Sequence, residues 1–281
     1  MRDIAYYNGQ IGPIDELTAP ITDRGLYFGD GVYDAAMVRN KKIFALDDHL
    51  DRFFSSLALL RIVPPMEREE LTAVLNDLVS QLDSDAPHML YWQSTRAAAH
   101  RMHAFPKSAK STLMAFAEPC GLDRQDRPYR LITLEDTRFL HCNIKTLNLI
   151  PNCMAMQQAV EAGCDEVVFH RGDRVTEGAH SGLAMLKDGV FCTPPADNLI
   201  LPSITRKHFL TVCEQLGVPT RIAPFTVDEL LSTDEIMILS TGSHCIGVSH
   251  VDGKPVGGKD TVLLNRLQTA YQEWFDRETA K

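Results

Sequence analysis

Two side chains, an amine and a carboxylate, stand out as candidates for chemistry in this sequence. Lys145 lies in the segment HCNIKTLNLIPN, six residues before Pro151, and Glu177 lies in the segment DEVVFHRGDRVTEGAHSG. A lysine amine can hold an aldehyde as a Schiff base, and a carboxylate can keep a pyridine nitrogen protonated. These are the minimum requirements of pyridoxal phosphate (PLP) chemistry. Alone they are weak signals, because a lone lysine is usually a solvated surface residue and a glutamate beside a glycine usually belongs to a turn.

A helix and two strands must position these side chains. Pro151 suits the first turn of a helix, where its missing N–H is not needed. Residues 165–170 alternate as a strand, and residues 171–173 turn the chain back. The pattern therefore predicts that Lys145 lies on the irregular approach to a helix and that Glu177 follows a second strand.

A second set of capable side chains lies in the segment RAAAHRMHAFP, residues 96–106. Two arginines and two histidines fall within eight residues of a chain whose net charge is −9. This favours an anion-binding loop over one that is only solvated, because charge-assisted hydrogen bonds to carboxylates are strong. Upstream, residues 22–34 place three glycines within seven residues beside aromatic side chains, which predicts a strand at a glycine-bent sheet edge.

Several separated motifs resemble those of one enzyme family. The phrases Asn143-Ile144-Lys145-Thr146-Leu147-Asn148 and Val175-Thr176-Glu177-Gly178 resemble the signature of class IV (fold type IV) PLP-dependent aminotransferases. Within that family the chain most resembles D-amino-acid aminotransferases, from Asn8-Gly9 to the last helix. The resemblance implies PLP as the cofactor, Lys145 as its Schiff-base lysine and Glu177 as the partner of its ring nitrogen.

The resemblance also implies the other cofactor contacts. Arg52 lies off the apolar stripe of a helix predicted over residues 47–60, and a guanidinium fork suits a phosphate. Residues at a predicted helix start and in a later turn complete the phosphate site: Ile204, Thr205, Thr241 and Gly242. A helix start offers free N–H groups to a phosphate. Plain helix capping by Ser203 and Thr205 remains an alternative, and both can hold.

For the substrate, the family pattern implies that Arg101, His103 and Tyr33 bind the α-carboxylate, with the basic loop reaching the active site of a second subunit. Three departures from the pattern involve four residues: Gly182 stands where asparagine is common, Ala179 and His180 replace small hydroxyl residues, and Gly242 stands where a hydroxyl is frequent. These departures concern the substrate rather than the cofactor. His180 would narrow the pocket or bind a second carboxylate.

The expected activity is transfer of an amino group between a D-amino acid, of the D-alanine or D-glutamate class, and a 2-oxo acid. Three alternatives share parts of the pattern. An aminodeoxychorismate lyase shares the lysine, the glutamate and the fold, although the Arg-x-His loop favours a transaminase. The others are a branched-chain L-amino-acid aminotransferase and a silent PLP-binding homologue, against which the intact Lys145 and Glu177 argue.

Length and patterning predict the architecture. At 281 residues the chain suggests one large or two modest domains. The resemblance implies a mixed α/β (α+β) fold of two domains. These are a smaller N-terminal α/β domain over residues 1–118, a linker over residues 119–122, and a larger PLP-binding domain over residues 123–281 with a barrel-like sheet.

Composition narrows the partners. A net charge of −9 argues against nucleic acid and anionic membranes, which require a basic face. No apolar run approaches the length of a membrane span, and MRDIAYYNGQ lacks the apolar region of a signal peptide. Seven scattered cysteines without a CxxC pair predict reduced thiols in a cytoplasm and no zinc site. The expected partners are an amino acid, a 2-oxo acid and a second copy of the chain in a homodimer.

Overall fold

The computed structural model describes residues 4–108, 110–121 and 125–281. Their contacts divide the chain into two compact units. Unit 1 comprises Met1–Gly121, Ile144–Asn148 and Phe275–Lys281, and unit 2 comprises Leu122–Asn143 and Leu149–Trp274. The linker predicted over residues 119–122 begins at the last residue of a strand, and its final residue lies outside the described residues.

Unit 1 is built on a six-stranded antiparallel sheet. Its strands are β1 (Ile4–Tyr7), β2 (Gln10–Pro13), β3 (Gly31–Arg39), β4 (Lys42–Ile43), β5 (His88–Thr95) and β6 (Thr112–Pro119). The order is β2-β1-β6-β5-β3-β4. Its helices are α1 (Arg24–Phe28), α2 (Leu46–Leu59) and α3 (Arg68–Ser80). The apolar stripe of α2 is fully buried at Leu50, Phe53 and Leu57, and Phe53 meets the buried Trp92 of β5 edge-on at 6.2 Å between ring centroids.

The C-terminal residues 275–281 complete unit 1. The ring of Phe275 packs edge-on against Phe44 at 5.1 Å between centroids. A hydrogen bond at 2.8 Å joins the Asn40 side chain to the carbonyl of Thr279. The end of the chain is therefore part of the packing around the β3–β4 hairpin.

One predicted element of unit 1 is different in the structure. Residues 24–28 were expected in a strand, but they form the short helix α1. The Asp23 side chain caps this helix by accepting from Gly25 N, and Gly29 ends it in the left-handed conformation at φ 60°. The strand starts only at Gly31.

Unit 2 is built on a nine-stranded sheet that curls into a half-barrel. Its strands are β7 (Tyr129–Glu135), β8 (Glu166–Arg171), β9 (Arg174–Val175), β10 (Gly182–Lys187), β11 (Val190–Thr193), β12 (Thr220–Ile222), β13 (Glu235–Ser240), β14 (His244–Val251) and β15 (Lys254–Pro255). The order is β12-β11-β10-β13-β14-β7-β8-β9, with β15 paired to β14. Its helices are α4 (Ile150–Glu161), α5 (Ile204–Leu216), α6 (Val227–Leu231) and α7 (Thr261–Glu278), whose last residues count with unit 1.

Both units mix helices and strands, which confirms the predicted mixed α/β class. The predicted helix at Pro151 is α4, and the predicted strand pair before Glu177 is β8 and β9. Within the described residues, no helix combines the length and the apolar character needed to cross a membrane.

Candidate active site

Lys145 is held against the start of β3 in unit 1. The backbone of Tyr33 donates to the Lys145 carbonyl at 3.0 Å, and Leu147 N donates to the Gly31 carbonyl at 3.1 Å. The Lys145 N–H points to Ser56 Oγ at 3.3 Å. Its Nζ lies 4.3 Å from the centroid of the Tyr33 ring. Across the described part of the chain, no carboxylate lies within 4.0 Å of this amine, which leaves it available to an aldehyde.

Two glycines permit this close approach. A Cβ at Gly29, whose φ is +60°, would lie 2.8 Å from Asn148 Oδ1. A Cβ at Gly31 would lie 2.6 Å from the carbonyl oxygen of Ser94 and 2.7 Å from Leu147 Cδ1. The glycines therefore allow residues 144–148 to pack directly on the sheet. The sequence predicted a glycine-bent sheet edge here, but not this contact.

Arg52 is paired with a buried carboxylate. Its Nε and Nη2 donate to the two oxygens of Asp34 at 2.9 and 2.7 Å, and His49 Nδ1 lies 2.8 Å from Asp34 Oδ1. Burial would raise the pKa of Asp34, but Arg52 and His49 hold it well below its usual range. The sequence placed Arg52 off the apolar stripe, yet only 9% of its side chain is exposed, because Asp34 binds its guanidinium.

The predicted carboxylate ligands Arg101 and His103 meet on one aromatic ring. The Phe28 centroid lies 5.2 Å from Arg101 Cζ and 5.2 Å from the His103 centroid. Both side chains are exposed, and neither has a carboxylate within 4.0 Å among the described residues. Tyr33, the third predicted ligand, stacks on Tyr91 at 5.5 Å between ring centroids.

Glu177 is buried in unit 2, directly after β9. Its Oε1 accepts from Arg138 Nη1 at 2.6 Å, and its Oε2 accepts from Leu201 N at 3.1 Å. Burial raises the pKa of Glu177, while the charge and the hydrogen bond of Arg138 oppose that rise. The carboxylate of Asp136 accepts two hydrogen bonds of 2.9 Å from the other side of the Arg138 guanidinium.

His180 is anchored by a second buried carboxylate. Glu166 at the start of β8 is fully buried, and its Oε2 lies 2.8 Å from His180 Nδ1 and 2.7 Å from Ser181 Oγ. The N–H of Ala179 donates to Glu166 Oε1 at 3.0 Å. The segment that departs from the family pattern is therefore a fixed loop rather than a loose one.

The predicted phosphate residues of unit 2 gather around the start of β10. Ser203 caps α5 by accepting from Arg206 N at 3.2 Å, so the capping interpretation is confirmed. Ile204 and Thr205 form the buried first turn of α5. The remaining two, Thr241 and Gly242, lie in the turn between β13 and β14. A Cβ on Gly182 would lie 3.6 Å from both Ser203 Oγ and the carbonyl of Leu239 near that turn.

Comparison with known proteins identifies the family. The family model for amino-transferase class IV matches residues 31–251. The chain belongs to this family. It is 36% identical over 272 residues to a D-alanine aminotransferase of Listeria monocytogenes serotype 4b (strain F2365), which covers 95% of this chain and 94% of that protein. It is also 36% identical over 278 residues to a D-alanine aminotransferase of Bacillus licheniformis, with 98% of each chain covered. The predicted family membership is confirmed.

Solved structures show the same fold for this aminotransferase. The branched-chain amino acid aminotransferase of Escherichia coli superposes with a TM-score of 0.90 at 20% identity, over 100% of this chain and 97% of that one. A hypothetical aminotransferase from Mycobacterium tuberculosis in its PLP-bound form gives a TM-score of 0.84 at 18% identity, over 96% and 99%. At these identities the likeness concerns the fold, and it confirms fold type IV.

Class IV aminotransferases use PLP, and the side chains of this enzyme fit that cofactor. PLP presents an aldehyde, a ring nitrogen and a phosphate. The amine of Lys145 suits the aldehyde, and the buried carboxylate of Glu177 suits the ring nitrogen. The first-turn N–H groups of α5, a helix of 13 residues, suit the phosphate.

Sequence reasoning missed the residues that hold these groups. Asp136 and Arg138 fix Glu177, and Asp34 fixes Arg52. The sequence did contain a signal for Asp136 and Arg138, because an acid and a base lie two residues apart just before the Lys145 segment. Nothing in the local pattern indicates that Asp34 binds a side chain 18 residues away.

Proposed function

We propose that this aminotransferase moves the amino group of a D-amino acid, of the D-alanine or D-glutamate class, to a 2-oxo acid. The observation that carries the proposal is the Arg101–His103 pair, two exposed basic groups on one ring with no carboxylate close by in the described residues. Such a pair suits the α-carboxylate of an amino acid. The D-alanine aminotransferases at 36% identity over nearly the whole chain support the choice of the D-form.

Each side chain then has a defined task. When bound, PLP supplies an electron-accepting ring that stabilises negative charge at the α-carbon of the substrate. Lys145 would hold the cofactor through its aldehyde, and Lys145 Nζ would take the α-proton of the substrate. Glu177, whose carboxylate accepts a hydrogen bond from Arg138, would favour a proton on the ring nitrogen. The phosphate is held by Arg52, Ile204, Thr205, Thr241 and Gly242.

Tyr33 and His180 complete the substrate site in this proposal. Tyr33 lies beside the Lys145 amine, where a phenol can orient a carboxylate. His180 is 58% exposed and its Nδ1 lies 2.8 Å from Glu166 Oε2, and in this proposal the imidazole helps to bind a second carboxylate. Binding of a second carboxylate at His180 would favour D-glutamate or D-aspartate over D-alanine as the substrate. The alternative is that the imidazole only narrows the pocket.

The proposal includes a homodimer with shared active sites in a cytoplasm. Large apolar side chains near the basic loop are strongly exposed, which is typical of an interface between subunits. They are Ile21 at 88%, Leu26 at 69% and Met102 at 59%. All seven cysteines are thiols in the structure, which suits a reducing compartment. Light scattering combined with assays on dilution tests the dimer, because a fully active monomer would contradict it.

A panel of D- and L-amino acids with pyruvate or 2-oxoglutarate as acceptor tests the activity. We expect D-alanine, D-glutamate or D-aspartate to react faster than their L-forms. In Arg101→Ala, loss of a charge-assisted hydrogen bond worth about 1.5–3 kcal/mol should raise KM by about one to two orders of magnitude. Arg101→Lys keeps the charge and should lose less. A preference for L-substrates, or unchanged D-alanine kinetics in Arg101→Ala, would reject the D-specific assignment.

A further inference from the structure

We propose that Phe28 is a positioning residue for the substrate carboxylate. Its ring holds Arg101 and His103 together as one anion-binding pair, and Asp30 fixes the loop that carries them. This inference rests on the proposed function, in which that pair binds the α-carboxylate. It assigns a task to the part of residues 22–34 that does not contact Lys145.

The backbone ties the basic loop to the segment that contains α1. Arg24 N donates to the Ala97 carbonyl at 2.9 Å, and Ala99 N donates to the Thr22 carbonyl at 2.9 Å. The Tyr27 hydroxyl also donates to the Ala99 carbonyl. These bonds fix the first half of the loop, up to residue 99. The positions of Arg101 and His103 therefore depend on side-chain contacts.

Asp30 holds the loop through two arginines. Its carboxylate, 12% exposed, accepts from Arg24 Nε at 2.7 Å and from Arg96 Nε at 2.9 Å. Arg24 then donates through Nη1 to the carbonyl of Met102 at 2.5 Å, between the two proposed ligands. Arg96 lies over the Phe105 ring at 3.5 Å from its centroid. One carboxylate therefore restrains the start, the tip and the far end of the loop.

The ring of Phe28 completes the arrangement at the tip. Arg24 Cζ lies 4.7 Å from its centroid, Arg101 Cζ lies at 5.2 Å, and the His103 ring lies at 5.2 Å with a tilt of 48°. An aromatic face attracts guanidinium groups. Contact through the ring face leaves the in-plane N–H donors of an arginine available for a carboxylate.

This arrangement matters because Arg101 and His103 are exposed on a loop. An exposed arginine samples many rotamers, and ordering it during binding weakens the affinity. A ring that restrains both side chains before the carboxylate binds reduces this loss of affinity. The effect should therefore appear in carboxylate binding and not in the chemistry at the amine.

The test compares Phe28→Leu with Phe28→Tyr, which keeps the ring face. Four quantities are measured: kcat and KM for D-alanine, the inhibition constant of acetate, and the single-turnover rate with ethylamine, which has no carboxylate. The rate with ethylamine is followed through the change in absorbance of the cofactor. Phe54→Leu is the matched control, because Phe54 is a half-buried aromatic residue of the unit 1 core whose ring faces Phe53.

We expect Phe28→Leu to raise both the KM for D-alanine and the inhibition constant of acetate by about threefold to tenfold. The kcat and the ethylamine rate should stay within about twofold, and Phe28→Tyr should restore the wild-type constants. Phe54→Leu should leave the acetate constant unchanged. This combination supports a positioning role, because a general loss of structure would change the ethylamine rate as well.

Two outcomes overturn the inference in different ways. If Arg101→Ala weakens acetate binding but Phe28→Leu does not, Phe28 does not position the pair and the proposed function stands. If Arg101→Ala itself leaves D-alanine and acetate unaffected, the pair does not bind the carboxylate, and both proposals are wrong. A fall in the ethylamine rate of Phe28→Leu that matches its change with D-alanine would also reject the positioning role.

Discussion

Arg138 binds Glu177 through a hydrogen bond of 2.6 Å between two side chains that are each about 7% exposed. Asp136 binds the opposite side of the same guanidinium, so one cation lies between two carboxylates. Burial would lower the pKa of Arg138, but its bond to Asp136 and the charge of Glu177 raise it, so it stays protonated. Arg138 therefore opposes the rise that burial causes in the pKa of Glu177, which favours the anion that a partner of a protonated ring nitrogen requires.

The first prediction concerns this carboxylate. Glu177→Gln keeps the shape but removes the charge that favours a protonated ring nitrogen. We expect kcat to fall by about two orders of magnitude, while PLP affinity changes little because the phosphate contacts remain. Steady-state kinetics and a PLP titration measure the two effects. Glu177→Asp, which keeps the charge, should retain more activity, and an unchanged kcat in Glu177→Gln would contradict the role.

The second prediction concerns Lys145. Lys145→Ala removes the amine that bonds the aldehyde and moves the α-proton, so transamination and the visible absorbance of the lysine-bound cofactor should both be lost. Some PLP should still bind through its phosphate. Lys42→Ala removes an exposed lysine of the same unit and should have wild-type activity and absorbance. Full activity in Lys145→Ala would disprove the proposed site.

The third prediction concerns the glycine beneath the lysine segment. In Gly31→Ala the new Cβ would lie 2.6 Å from a backbone oxygen of Ser94, which cannot rotate away. We expect a loss of about 1–3 kcal/mol in the free energy of unfolding and weaker PLP binding, because residues 144–148 must shift. Urea denaturation and the cofactor absorbance test this. Gly12→Ala is the control, since its Cβ would meet only Leu17 at 3.8 Å; equal behaviour of the two variants would refute the steric account.

The fourth prediction concerns the pH dependence of stability. The pKa of Asp34 lies below its unfolded value of about 3.9, so its stabilising contribution is complete above that pH and is lost as the pH falls further. Asp34→Asn should lose about 3 kcal/mol at pH 7, because Arg52 remains without its partner. The difference from the wild type should shrink only below about pH 4, by about 1.4 kcal/mol per pH unit. Urea denaturation at several pH values measures it, and a difference that shrinks already between pH 7 and pH 5 would contradict the assignment.

The sequence predicted what depends on local pattern. The helix at Pro151 and the strand pair before Glu177 follow from spacing and turn chemistry, and the structure has both. The helix α1 was missed, because five residues with a glycine among them carry little periodic signal and the cap at Asp23 decides the conformation.

Side-chain pairing across long sequence separations could not be predicted in the same way. Asp34 was not singled out, although it fixes Arg52, because the carboxylate and the arginine come from different elements. The ring of Phe28 is likewise ordinary in sequence, and only the folded loop brings Arg101 and His103 to it. The roles of Lys145, Glu177 and the basic loop came from a family resemblance, and they stay predictions until the variants are measured.

Unit 1 is assembled from three separate pieces of the chain, and this has a consequence for biosynthesis. Domains usually fold one after another as they leave the ribosome, starting from the N-terminus. Here unit 1 cannot be completed before the residues that follow it are made, because it also contains Ile144–Asn148 and Phe275–Lys281. The segment around Lys145 can therefore pair with β3 only after residues 144–148 have been made. A nascent chain that stops before Phe275 would lack its contact with the ring of Phe44, which leaves apolar surface of unit 1 open to chaperones.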